Sequence, residues 1–362
     1  MRFQYISFLV IILLIFLRFI STKPSFGDGD FVRIISKVYG EPIVYDKQQY
    51  LKLQGLKVYL PKYPEISYGD RIIVTGEVRN GELVKPKLIE ISDKRFTTKW
   101  QALLMIYDLR QKLIIFYKSS LPEPYASLVA GIVIGSKNMP ESFWEKLKAT
   151  GTAHVVVASG TNVTMTASFL IGLLTVFLKR RVAIWITLVG IFGYVVISGF
   201  DAPIIRAGIM GSILLFSQEI GRVANTWRIL IYSGLVMLLI KPIWITDLGF
   251  ILSFVATISL MLLQKKIDNK LKLIPAIFRE GLSTSLAAQV GVAPIIFVTF
   301  GQFNILSPII NALVLWTIPY IMVVGALGGI VGLIVPVLGR LILYVMFPFL
   351  LWFTKILELF SF

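Results

Sequence analysis

Long apolar runs separated by short polar stretches dominate the second half of the chain. They cover approximately residues 155–177, 182–197, 204–216, 229–240, 243–263, 283–300, 306–335 with internal breaks, and 341–359. Runs of this length with few charges predict helices that cross a bilayer. Another apolar segment, residues 3–20, opens the chain between Arg2 on one side and Arg18 and Lys23 on the other. No small-residue cleavage site follows it, so residues 1–20 are expected to remain as a membrane anchor.

Between these regions the pattern changes to that of a water-exposed domain. Residues 21–99 carry strand-like runs at 31–38, 42–53, 56–60, 71–79 and 82–91, bounded by turn residues. Asn80-Gly81 predicts a tight hairpin, because a type I′ turn needs two residues that tolerate positive φ. Gly69-Asp70 supplies a second turn ahead of the alternating strand that starts at Arg71. Five short strands in this length predict a small OB-like barrel. Its charge is weakly basic, with 14 basic against 10 acidic side chains. Tyr39, Tyr45, Tyr50, Tyr59 and Tyr63 offer rings for stacking on bases, or are ordinary strand aromatics.

Residues 100–150 join the two regions. The apolar run 100–117 is interrupted by Asp108, Arg110, Gln111 and Lys112, which predicts an amphipathic helix at the membrane interface. The run 126–134 is too short to span; Gly131 and Gly135 stand at the spacing that lets helices approach closely. A polar loop, 135–150, follows. Residues 151–362 form the polytopic part. The expected architecture is therefore an α-helical multi-pass membrane protein with an N-terminal all-β, OB-like extracytoplasmic domain.

Composition sharpens this reading. Hydrophobic residues make up 56% of the chain and the mean hydropathy is +0.79, as a bilayer protein requires. With no cysteine and one histidine in 362 residues, disulfides, thiol nucleophiles, zinc–thiolate centres and His-rich metal sites are excluded. No metal or cofactor is expected. The net charge of +16 fits either topology or a polyanionic ligand. Basic residues cluster at 179–181, at Arg222 and Arg228, and again at Lys265, Lys266, Lys270, Lys272 and Arg279. These clusters fall on alternate loops, which marks them as cytoplasmic. Counting back from Lys179 puts Gly151 outside, and the β domain with it provided that residues 100–150 do not cross the membrane an odd number of times.

The candidate chemistry centres on residues 151–163, GTAHVVVASGTNV, which contain His154, Ser159, Gly160 and Asn162. Polar side chains at membrane depth either bond neighbouring helices or mark a wet pathway. At 100° per residue His154 and Ser159 fall on different faces, whereas Ser159 and Asn162 share one. A Ser–His pair therefore requires a helix break, which Gly160 permits. A broken helix would also expose backbone groups to a polar substrate. Asp201 and Arg206 flank the turn 199–203 and are either an interfacial charge pair or, for Arg206, a phosphate contact. Ser253, Gln289 and Asn311 add polar positions within apolar runs. Pro242, Pro294, Pro308 and Pro319 mark kinks or ends. Gly325, Gly328, Gly329 and Gly332 point to close packing.

Four blocks in order resemble the ComEC competence family. GTAHVVVASGTNV is similar to its Gly-x-x-His and Ser-Gly signature, and PIIRAGIM (residues 203–210) to its Arg-Ala-x-Met segment. The stretch 241–260, KPIWITDLGFILSFVATISL, resembles its Gly-Phe-x-Leu-Ser-Phe segment. The stretch 287–319 resembles its Gln, Pro, Phe, Ser-x-x-x-Asn and Pro block. The resemblance implies a channel that carries single-stranded DNA across the bacterial cytoplasmic membrane during transformation. Arg206, Arg222 and Lys241 would then contact the strand. It also implies other competence proteins as partners, including a separate ATP-driven motor, since no P-loop is present, together with a separate nuclease and self-association. Asn162 stands where many members carry a second histidine. A metallo-β-lactamase-like domain found in many members is absent from these residues, so nuclease activity is not expected of them. Two other functions remain open: a small-solute or lipid transporter, and an intramembrane hydrolase using Ser159 with His154 as base.

Overall fold

The computed structural model describes residues 2–22, 26–38, 42–44, 48–66, 70–92, 101–157, 159–221, 225–301 and 304–361. Helix α1 (Arg2–Thr22) precedes β1 (Phe31–Lys37), β2 (Ile43–Val44), β3 (Gln48–Leu53), β4 (Leu56–Pro61), β5 (Arg71–Arg79) and β6 (Glu82–Ser92). The strands form one sheet in the order β1-β5-β6-β4-β3-β2. The pairings are antiparallel except for β4 with β6. The run 42–53, read as one strand, is two strands that fold back on each other, with Ile43 opposite Tyr50. The sheet thus has six strands rather than five. Both tight turns have the positive φ that β-hairpins demand, at Asn80-Gly81 as expected and also at Gln54-Gly55. Alternate residues of β4 and β5 point into one apolar core containing Val58, Leu60, Ile72 and Val74.

The helical part begins with α2 (Gln101–Ser120), α3 (Tyr125–Ile134), α4 (Glu141–Ala149) and α5 (Ala153–Val156). It continues through α6 (Gly160–Phe177), α7 (Arg180–Ile197), α8 (Ala202–Glu219), α9 (Thr226–Ile240), α10 (Leu248–Lys270) and α11 (Ala276–Phe300). It ends with α12 (Ser307–Leu315), α13 (Ile318–Ile334), α14 (Pro336–Val345) and α15 (Phe347–Phe360). Among the described residues, four segments are long and apolar enough to cross a membrane: Ala153–Phe177, Arg180–Ile197, Leu248–Lys270 and Ala276–Thr299. The count rises to six if the bent pairs α12–α13 and α14–α15 are each one span. The break inside 306–335 is a 47° bend, and the run 341–359 also bends, by 52°. The run 243–263 starts with a separate 3-10 turn, Pro242–Thr246, before Asp247 caps α10 by accepting from the Phe250 amide at 3.2 Å.

Helix α3, too short to span, is the centre of the helical core: Ala126 through Ile134 are all buried. It packs on α2 and α13. Close approach depends on small residues. Gly325 faces Val129 and Val133, Gly328 faces Leu343, Gly329 faces Tyr117 and Gly332 faces Phe116, so these glycines serve packing. A Cβ on Gly339 would lie 2.3 Å from the Gly332 Cα, which is why α13 and α14 can touch backbone to backbone.

Helix α2 is amphipathic, with Asp108, Gln111 and Lys112 exposed on one side, but Arg110 turns inward. Its Arg110 is 1% exposed and donates to the carbonyls of Ile134 at 2.7 Å, Gly135 at 3.3 Å and Ile197. A guanidinium thereby closes the C-termini of α3 and α7, where unpaired carbonyls and the helix dipoles favour a cation. Arg110→Met should remove these bonds and lower stability by about 3 kcal/mol, since each buried acceptor left unmatched costs ~1–3 kcal/mol. Thermal unfolding in detergent measures this, and an unchanged midpoint would rule the role out. Gly339→Ala should cost about 1–3 kcal/mol through overpacking in the same assay; wild-type stability would show that α13 and α14 separate freely.

Candidate functional site

The central motif breaks where its sequence allows. Helix α5 ends at Val156, Val157 turns extended with ψ 130°, and Ser159 is extended with φ −107° and ψ 169° before α6 starts at Gly160. The break thus lies just ahead of Gly160 rather than at it. Asn162 holds the new helix in place by donating to the Ile132 carbonyl of α3 at 3.0 Å. Ser159 donates to the Asn162 side-chain oxygen at 3.1 Å, the shared face that i, i+3 spacing predicts. Its hydroxyl proton is therefore directed at an amide rather than at an imidazole. His154 stands on the other side of the break, and its side chain is exposed to a large cavity.

That cavity, about 2990 Å³, brings the sequence candidates together. His154, Ser159, Gly160, Asn162, Asp201, Arg206, Ser253, Gln289 and Asn311 all line it, as does Lys241. Arg222 lies outside the described residues, as do Tyr39 and Tyr45. The cavity follows one face of α8, through Pro203, Arg206, Met210, Leu214 and Gln218. The fifteen rises of ~1.5 Å from Pro203 to Gln218 make this face roughly 22 Å long. Matching faces come from α10, at Gly249, Ser253, Thr257, Leu260 and Gln264, and from α11, at Thr284, Ala288, Val292 and Ile296. Spacings of three and four residues keep each row on one side of its helix. The volume exceeds the ~300–1,000 Å³ of small-ligand pockets.

The α10–α11 hairpin forms one wall. It is closed by the Ser259 hydroxyl, which donates to the Ala287 carbonyl at 2.6 Å, with Gly291 giving Ser259 room. Polar bonds also tie the start of α12 to the central motif. Gln289 donates to the Asn304 carbonyl at 3.2 Å, and Asn304 donates to the Ala149 carbonyl at 2.6 Å. Asn311 donates to Ser285 at 2.9 Å and to Ser307 at 3.3 Å, while a Cβ on Gly151 would lie 2.5 Å from the Ser307 hydroxyl oxygen. Gln289 and Asn311 thus line the cavity and also fix its wall.

The two ends differ in charge from the middle. At the end facing the β domain, Lys137 pairs with Asp201 at 2.7 Å and Lys52 of β3 pairs with Asp247 at 3.1 Å. Lys241 lies there too, its ammonium 5.7 Å from the Trp244 ring centre. Partial burial first, and then repulsion from Lys52, hold this ammonium below the usual lysine range, with Asp247 opposing. At the other end Arg180 donates to Gln218 at 3.3 Å, and beside it Arg181 pairs with Glu219 at 2.8 Å. The basic clusters around 180 and 265–279 thus lie away from the β domain, as alternating loops require.

Arg206 occupies the middle. It is not paired with Asp201, which goes to Lys137. Its guanidinium donates to the Thr257 hydroxyl, approaches the Met210 sulfur at 3.8 Å and lies 5.7 Å from the Phe254 ring centre. Its Nε is buried with no hydrogen-bond partner. Sequence reasoning missed Thr257, Lys137 and Lys52. Only Thr257 left a signal, because it follows Ser253 by one helical turn.

Comparison with known proteins places the helical part of the chain in a family. A family model described as competence protein matches residues 132–362. ComE operon protein 3 of Bacillus subtilis (strain 168) is 26% identical over 230 residues, which is 62% of this chain and 29% of that protein. The matched stretch is therefore less than a third of the relative's length. No solved structure matches the chain. The match leaves out the β domain but covers the helix break ahead of Gly160, the helices that wall the cavity and Arg206, well over half of the sequence, and the chain belongs to the competence protein family.

Proposed function

We propose that this chain is a multi-pass protein of the bacterial cytoplasmic membrane that conducts single-stranded DNA inward during transformation, with its β domain outside as an OB-like receiving module. The observation that carries this is a cavity running along whole helices, cationic at its mouth and crossed in the middle by an arginine without a carboxylate partner. A polyanion needs attraction at the mouth and weak, repeated contacts within, since tight binding would stop conduction. Hydroxyl and amide groups supply such contacts. The volume favours a polymer over a small solute. Ser159 gives its proton to Asn162, which speaks against a serine nucleophile activated by His154.

The β domain suits this role through its partly to well exposed aromatics. Tyr50 and Tyr59 are cross-strand neighbours with ring centres 5.1 Å apart, and Tyr63 is 72% exposed beside Lys62. Such rings beside a cation are a stacking platform for unpaired bases. The six short strands around one core are the basis for the OB-like reading. Partners complete the function: another competence protein supplies ATP-driven pulling, a separate nuclease removes the second strand, and the channel is open to self-association.

Uptake of fluorescent single-stranded DNA by cells making this chain tests the proposal. Arg206→Gln should reduce uptake by about 10–100-fold, as expected for loss of a charged contact worth ~1.5–3 kcal/mol. Wild-type uptake by a correctly inserted variant would remove Arg206 from the path. His154→Ala should also impair uptake, by a smaller factor because the imidazole is one contact among several; no change would take His154 off the pathway. Small-solute flux without any DNA uptake by the wild-type chain and its partners would favour the transporter instead.

A further inference from the structure

Arg206 is the one side chain described above that touches three walls of the cavity at once. It leaves α8, bonds Thr257 on α10, lies against the Phe254 ring of α10, and reaches α6, where a Cβ on Gly160 would stand 3.4 Å from its Nη2. Gly160, Arg206 and Thr257 all line the cavity. Any larger residue at 160 would crowd the guanidinium. The partners that hold Arg206 are neutral: a hydroxyl, a thioether and a ring face.

We infer that Thr257 positions Arg206 across the bore as an ion-excluding gate, closed at rest and opened when a phosphate takes the guanidinium from the hydroxyl. This rests on the channel reading and adds how such a channel stays tight. A fixed cation held across the cavity repels Na+ and K+, and guanidinium cannot lose its proton to relieve the barrier. A hydroxyl accepts only one bond from the fork, whereas a phosphate offers two charge-assisted ones. The anion therefore displaces Thr257, and metal cations, which have no such claim on arginine, do not. The Thr257 hydroxyl also donates to the Ser253 carbonyl at 2.9 Å, so its lone pair is turned toward Arg206 by the helix itself.

The test is K+ leak from phosphatidylethanolamine–phosphatidylglycerol vesicles holding the full chain, measured without DNA. Thr257→Val keeps the shape and removes the acceptor. It should raise leak by at least about tenfold, the factor that a barrier lower by ~1.4 kcal/mol gives. Thr257→Ser, which keeps the hydroxyl, should stay as tight as wild type, and Arg206→Gln should leak like Thr257→Val. Vesicles with Thr257→Val as tight as wild type would overturn the inference. Equal leak from the valine and serine variants would also overturn it, because packing rather than the hydroxyl would then seal the bore. A tight Arg206→Gln variant would do the same. Since no strand is present, the leak reports on the gate even if the chain proves not to conduct DNA.

Discussion

A chain that leaves the helix inside an apolar body must find partners for the polar backbone it exposes, and this constraint shapes the protein around residues 157–159. Buried amides and carbonyls left unmatched are too costly to persist. Asn162 ties the restarted helix α6 to the Ile132 carbonyl. Gly131 lets Val156 approach α3, since a Cβ there would lie 2.9 Å from a Val156 methyl. Asn304 and Ser307 secure the loop ahead of the break from the side of α12. The break exists because α3 and the start of α12 are placed to satisfy it. In return it puts Gly160, with no side chain, where Arg206 needs room.

Two partly or fully buried arginines show how one side chain serves opposite ends. Arg110 is surrounded by carbonyl oxygens at helix C-termini, which are strong acceptors in fixed positions. It holds α2, α3 and α7 together. Arg206 lies in the cavity against a hydroxyl, a sulfur and a ring. Such partners hold a guanidinium loosely enough for an anion to compete. The difference in partners, not in residue type, separates the cation that locks helix ends from the one left in the cavity.

Charge along the cavity is arranged by the same logic. At the β-domain end the cations come with acids, Lys137 with Asp201 and Lys52 with Asp247. The pairs are about one-third to one-half exposed, so solvent screening leaves each worth little to stability. Their effect is on position: Lys52 joins β3 to the cap of α10 and aligns the sheet with the mouth. Between the ends the walls mix hydroxyl and amide groups, such as Ser253, Thr257 and Gln289, with apolar side chains such as Met210, Leu260 and Val292.

Much of this was legible in the sequence, because it depends on local pattern alone. The apolar runs, the Asn80-Gly81 turn, the shared face of Ser159 and Asn162, the packing glycines and the approximate place of the break follow from helical and strand periods and from the backbone freedom of glycine. The second fold-back within 42–53 did not, since a two-residue strand leaves no periodic signal. Nor did the inward turn of Arg110, because a charge within an amphipathic run reads as surface until something covers it. For the site, the sequence by itself determined which residues were polar in apolar surroundings and which face of a helix each shared. Only the tertiary structure decided that Asp201 pairs with Lys137 rather than Arg206, and that Arg206 crosses to Thr257. The physical reason is that periodicity specifies the direction of a side chain from its own helix, whereas its partner is chosen by how separate helices pack, through contacts dozens of residues apart in the chain.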